Sequence, residues 1–267
     1  MMFAVVSFFL SFFEEKMEKK LKGFSKTIVD RILEYPGTTI GLGSGLAIEF
    51  LVLEIFRQKK MLQKKNIRFV VFKQKMRKAF KKEKIRAFFP ENSMVIPELD
   101  CYLDEINVVC NIDGLENPMF IKSSAASDFP RAMMKKAKTV CFIGYGMELY
   151  KTGFSGIPIE LEHNSAGFEI FKTWQDKYGG TMGLRSNING KENRIYMEWV
   201  PPMDWRFRSE GQPDKNEQDL IDEINKTPGV VSHNLFGEPK CHFVENGEMF
   251  KMCYQGPARG FDGMVFV

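Results

Sequence analysis

The chain has 267 residues, enough for one large domain or two small ones, and its 44% hydrophobic content and mean hydropathy of −0.24 exclude a disordered or fibrous protein. Its formal charge of +4 hides an asymmetry: residues 57–86 hold fourteen Lys or Arg against one acid, Glu83, and the remainder is net −9. Five cysteines without a CxxC pair and three scattered histidines argue against a disulfide framework or a zinc site, so no metal is expected and the thiols fit a reducing, intracellular compartment, cytoplasmic or mitochondrial.

The chain opens on MMFAVVSFFLSFF, thirteen apolar or small residues, short of the about 20 that a membrane span needs. The stretch has no basic leader, no small-residue cleavage site and no Arg, which speaks against secretory and mitochondrial signals. It reads as an extension, residues 1–17, that docks on a partner, on the fold or on lipid, unless the true start lies after Met1. Residues 18–34 then predict an amphipathic helix ending at Pro36-Gly37.

TTIGLGSGLAIEF at 38–50 is an apolar run broken by Gly41, Gly43 and Gly45 that resumes at helical spacing with Ile48, Leu51, Val52 and Ile55. A strand entering a helix through a tight loop is the expectation, and such a turn aims backbone N–H groups at an anion above the helix N-terminus. Gly43, Ser44 and Gly45 are the candidate phosphate contacts. Glycines at such a turn also serve positive φ or close packing alone, which is the plain alternative.

IRFVVF at 67–72, IRAFF at 85–89, INVVCNID at 106–113 and TVCFIG at 139–144 predict strands, and KQKMRKAFKKEK at 73–84 a helix with Met76, Ala79 and Phe80 on one face. A parallel sheet is expected to hold strands near 38–42, 67–72, 107–112 and 139–143. From 158 to 236 the order becomes strand, helix, hairpin across NGKE, helix, strand, a ferredoxin-like arrangement punctuated by Gly179-Gly180, Asn189-Gly190 and Pro228-Gly229. The chain then returns through KCHFVENGEMFKMCYQ to the larger unit. The expected domains are therefore 18–157 with 237–267, an α/β unit of mostly parallel sheet flanked by helices, and 158–236, an inserted ferredoxin-like α+β lid.

The ordered set YPGTTIGLGSG, NVVCNIDG, FIKSSAA, TVCFIGYG, GFSGIPIELE and NKTPGVVSHNLF resembles, in order and spacing, the type A ribose-5-phosphate isomerases, over roughly residues 18 to 255. The resemblance implies cofactor-free aldose–ketose isomerisation of a phosphorylated pentose: a carboxylate moves a proton through an enediolate while cationic groups hold the oxyanion and the phosphate. It places Asp113-Gly114 at the start of the family's D-G-A-D-E motif, Glu116 at its second Asp, and Lys122 at the lysine of K-G-G-G; Asp113, Glu116 and Lys122 are the candidate catalytic residues. Ser44 stands for the threonine of the first loop.

Other positions depart from the family. The first loop's two closing hydroxyl residues are Leu46 and Ala47, which weakens its phosphate grip, and the glycines after the lysine are Ser123, Ser124 and Ala125. The base glutamate of R-E-K falls on Arg131 or Ala132, and the lysine of D-x-S-K on Glu148, with Tyr145 for the aspartate. The expectation is an isomerase-fold protein that is catalytically impaired and acts as a structural or binding subunit, or alternatively a weakly active isomerase with Asp128 or Glu116 as a displaced base.

The basic segment supplies the partner expectation. A solvated face is the plain reading of a charge run, yet fourteen cations in thirty residues of an otherwise acidic chain suit an anionic surface. A protein assembly or an anionic membrane, contacted through residues 1–13 and 57–86 with Lys78, Lys81 and Lys82 foremost, is expected ahead of nucleic acid, since Phe69, Phe72 and Phe80 fit core positions better than base stacking. Self-association as a homo-oligomer stays open.

Overall fold

Six parallel strands make the main sheet: β1 (Thr39–Leu42), β2 (Arg68–Val71), β3 (Ala87–Phe88), β4 (Leu99–Ile106), β7 (Ala137–Gly144) and β14 (Cys241–Glu245), in the spatial order β14-β7-β4-β1-β2-β3. The computed structural model describes residues 19, 21–106, 108–111, 119–122, 128–144, 150–152, 156–162, 165–184, 194–200, 217–236 and 241–245. Among these residues, no helix is long and apolar enough to cross a membrane.

The alternation of a pleated strand explains why both faces of this sheet are covered. Ile40, Leu42, Phe69, Val71 and Leu103 point to one cluster, which helix α1 (21–33) closes with Leu21, Ile28 and Ile32. Helix α2 (Leu46–Arg57) adds Ile48, Leu51 and Ile55; the short α3 (Lys59–Lys64) adds Leu62, and α4 (Gln74–Glu83) adds Met76 and Phe80. The Phe80 ring sits edge-on to both Phe56 and Phe69, with centroids 5.2 and 5.5 Å apart. The opposite face sends Val70, Tyr102, Val140 and Phe142 into a second cluster with Met133 and Met134 of α5 (Asp128–Lys136). Cys101 and Cys141 are free and buried in the first cluster, as small apolar residues.

The second sheet has the order β10-β11-β9-β12, wholly antiparallel, from β9 (Ile157–Glu162), β10 (Thr181–Leu184), β11 (Arg194–Val200) and β12 (Val230–His233). With α6 (Ser165–Tyr178) between β9 and β10 and α7 (Glu217–Lys226) before β12, this is the ferredoxin-like lid. Trp174 and Trp199 meet edge to face at 5.0 Å, and each indole N–H finds an oxygen at 3.2 Å, on Thr227 and Gly179. Their polar tips are thereby satisfied inside an apolar contact.

A third sheet, β13-β6-β5-β8, corrects one expectation. The strand at 107–112 does not join the parallel sheet; β5 (Val108–Asn111) runs antiparallel to β6 (Met119–Ile121) and parallel to β8 (Tyr150–Thr152). The main sheet instead uses β4, whose backbone pairs with β1 and β7. The run at 229–236 likewise divides, β12 staying in the lid sheet while β13 (Leu235–Phe236) pairs with β6. Asn234, fully buried between them, donates its N–H to Pro158 O at 3.1 Å and couples the two sheets. The return through 241–245 adds β14 to the edge of the main sheet, beside β7.

Candidate functional site

Successive strands leave β1 in two directions: β2 and β3 build one half of the sheet, β4, β7 and β14 the other. The switch therefore lies between β1 and β4, and in open parallel sheets ligands bind outside the carboxyl ends of the strands at such a point. The Gly43-Ser44-Gly45 loop leaves the end of β1 there, and Asp104 and Glu105 stand at the end of β4 beside it.

Three backbone donors of the loop region turn toward the neighbouring strand. Gly43 N–H bonds Leu103 O at 2.8 Å, Ser44 N–H the Asp104 Oδ1 at 2.8 Å, and Ala47 N–H the Glu105 Oε2 at 2.7 Å. The α2 N-terminus is thus met by a carboxylate of its own chain, which suits the positive end of the helix and its orphan donors. Gly45 adopts φ +130°, a conformation that L side chains rarely take, and a Cβ at Gly43 or Gly45 would overlap the Asp104 or Glu105 carboxylate. The tight loop is consequently built around these two acids.

Lys122 completes the cluster. Only 2% exposed, it donates Nζ to Asp104 Oδ1 and, at 2.7 Å, to the Ser44 carbonyl. Its backbone is held from both sides, since Lys122 N–H bonds Asn234 O at 3.1 Å and Asn234 Nδ2 bonds Lys122 O at 3.2 Å. Asp104, fully buried, also accepts from Tyr102 Oη at 2.7 Å and from Glu105 N–H at 2.9 Å. Burial pushes the Tyr102 phenol well above its usual range, with the Asp104 charge and their hydrogen bond adding to the shift, so it stays a donor.

Lys73, where β2 passes into α4, brings a second cation near. Desolvation lowers its pKa, the Lys122 charge lowers it further, and Asp104 partly offsets both. Its ammonium lies 5.5 Å from the centre of the Phe72 ring. Two lysines, two carboxylates and a phenol thus converge at the switch point, an arrangement that can bind an anionic or polyhydroxylated molecule and polarise an oxygen. Among the described residues, no group of His, Cys, Asp and Glu is placed to hold a metal ion.

Of the residues expected from sequence, Lys122 and the Gly43-Ser44-Gly45 loop come together here; Asp113 and Glu116 lie outside the described residues, as do Tyr145 and Glu148. Asp104, Glu105, Tyr102 and Lys73 were not anticipated. The available signal was a pair of acids closing the otherwise largely apolar run LDCYLDEI immediately after Pro97-Glu98. Arg131 turns toward the lid: its guanidinium is 2.6 Å from His233 Nε2 and donates to His233 O at 3.2 Å and to Asn225 Oδ1 at 2.8 Å. Burial, and then the Arg131 charge, hold the His233 imidazole well below its usual pKa. Ala132, half-buried, packs against the second core cluster.

No protein-family model matches the chain, and no curated protein sequence does. Solved structures do. Ribose 5-phosphate isomerase from Plasmodium falciparum superposes with a TM-score of 0.65 at 18% identity, over 90% of this chain and 99% of that one. The isomerase A of Neisseria gonorrhoeae gives 0.63 at 17%, over 89% and 97%, and that of Methanocaldococcus jannaschii 0.64 at 14%, over 89% and 99%. Across nearly its whole length the chain has the fold of ribose 5-phosphate isomerase A.

Proposed function

We propose that this chain keeps the ribose-5-phosphate isomerase fold with its proton-transfer chemistry strongly impaired, and that it serves as a binding or structural subunit. One observation carries the reading: where the resemblance puts the base glutamate there is a guanidinium, Arg131, engaged with His233 and Asn225 of the lid, and the adjacent side chain is the apolar Ala132. A positioned general base is worth about 10² to 10⁴ in rate, and neither residue can act as one. The loop amides that would greet a phosphate are engaged with Asp104 and Glu105, and Leu46 and Ala47 add no hydroxyl donors.

A weakly active isomerase is the second reading, favoured by the Asp104 and Lys122 pair. The family motif D-G-A-D-E ends in an Asp-Glu pair, and on this reading Asp104-Glu105, at the switch point beside a buried lysine, stands for that pair in place of the alignment on Asp113 and Glu116. On this reading Lys122 holds the developing oxyanion and Lys73 serves the phosphate, without a cofactor.

The two readings separate on a rescue. Ala132→Glu is expected to raise ribose 5-phosphate turnover at least about tenfold over the unaltered chain, a fraction of what a general base supplies. If the substitution leaves turnover unchanged while the protein melts normally, a missing base is not what silences the site.

A further inference from the structure

At the opposite end of the main sheet, where the strands begin, a cavity of about 510 Å³ opens on the face that carries the second core cluster. Thr39, Arg68, Val70, Arg86, Phe88 and Glu98 are among the residues lining it. Register explains how they meet: Thr39 pairs with Arg68 and Val70 with Phe88, so Arg86, two residues before Phe88, falls next to Arg68 on the same face. This corner of the sheet is open to solvent, since Arg68 and Arg86 are exposed and Phe88 is 46% exposed.

Two arginines at neighbouring register positions on one face repel unless something negative lies between them. Neither guanidinium has a carboxylate partner among the described residues: that of Arg86 bonds the Asn66 amide oxygen at 2.9 Å, and Arg68 is held through its backbone N–H, on Thr38 O at 2.9 Å, with no hydrogen bond or ion pair from its side chain. The acids nearby are committed elsewhere. Glu98 pairs with Lys136 at 2.8 Å, and Asp100 takes Lys138 at 2.8 Å together with the Thr39 N–H at 2.9 Å. The cavity thus joins an uncompensated arginine pair to an apolar floor of Val70 and an open aromatic ring.

We propose that this cavity is a binding site for a nucleoside monophosphate, separate from the cluster around Lys122. Paired arginines match a phosphate dianion through bidentate N–H donation, and the exposed Phe88 ring offers a stacking platform for a base. The volume lies within the range of small-molecule sites, about 300 to 1,000 Å³. The site draws its charge from the basic segment 57–86 and needs no residue of the isomerase-like cluster.

Titration calorimetry on the full chain at low salt, with AMP, adenosine and inorganic phosphate as ligands, tests this. Saturable AMP binding is expected, with adenosine and phosphate each at least about tenfold weaker, because adenosine lacks the charged contact and phosphate lacks the stacking contact. Arg68→Glu, Arg86→Glu and Phe88→Ala should each weaken AMP at least tenfold. All three side chains are exposed, so the variants should melt near the parent temperature. Lys73→Met should leave AMP affinity unchanged, which separates this cavity from the switch-point site. Absence of saturable AMP binding, phosphate binding as tight as AMP, or indifference to the arginine and Phe88 changes would each overturn the proposal.

Discussion

Replacing Asp104 by Ala removes the acceptor around which the switch-point cluster is organised. The carboxylate is fully buried and accepts from Lys122 Nζ, Ser44 N–H, Glu105 N–H and Tyr102 Oη; without it the ammonium of Lys122, a residue 2% exposed, is left with the Ser44 carbonyl. Breaking a buried ion pair by deleting one partner costs about 3–5 kcal/mol, because the remaining charge stays desolvated. For a chain of this size, 1 kcal/mol moves the melting temperature by about 2–4 °C, so Asp104→Ala should lower it by about 6–20 °C. Adding Lys122→Met should recover part of the loss, since it removes the stranded ammonium, and the non-additivity should amount to about 0.5–3 kcal/mol. Lys136→Ala, which breaks an exposed pair with Glu98, is the control and should cost under about 1 kcal/mol. Urea and thermal melts followed by circular dichroism read the parent, the two single variants Asp104→Ala and Lys122→Met, the double variant and the control. An Asp104→Ala loss no larger than that control, or a double variant worse than the sum of the singles, would refute the reasoning.

His233 predicts an acid sensitivity. Its folded pKa is pushed below the usual 6.5 by burial and by Arg131, so below about pH 6.5 the unfolded chain takes up a proton that the folded chain refuses. Unfolding free energy should therefore fall as pH drops through this window, by up to about 1.4 kcal/mol per unit, and His233→Gln should flatten that slope in melts between pH 7 and 5. The partner expectation rests on exposed cations of α4: Lys78 and Lys82 point to solvent, and Lys81 lies over the Phe89 ring at 5.3 Å. Replacing Lys78, Lys81 and Lys82 by Glu should shift the chain from a larger particle to a smaller one on a sizing column, the more so at low salt; an unchanged elution volume means the face is only solvated.

Much of the fold is legible because the interior strands are short apolar runs. TTIGL, IRFVVF and TVCFIG needed only their β-branched and aromatic content, and the lid announced itself by its element order and glycine-marked turns. The strand that matters most escaped. LDCYLDEI places Asp104 and Glu105 at buried positions, where local pattern reads acids as a break; they belong there only because the Ser44 and Ala47 amides, more than fifty residues upstream, and Lys122 downstream supply their partners. Helix α5 was hidden in the same way, by Pro130 in its first turn. The third sheet depends on pairing between segments as far apart as Ile121 and Leu235, which no local periodicity encodes.

The impaired-chemistry account is tested most directly by the turnover of ribose 5-phosphate to ribulose 5-phosphate by the purified chain, measured beside an intact isomerase A at equal concentration. With Arg131 turned to the lid and no carboxylate at 131 or 132, the account predicts a kcat/KM at least about 10²-fold lower. A rate within tenfold of the intact enzyme would contradict it and assign the proton transfer to another carboxylate.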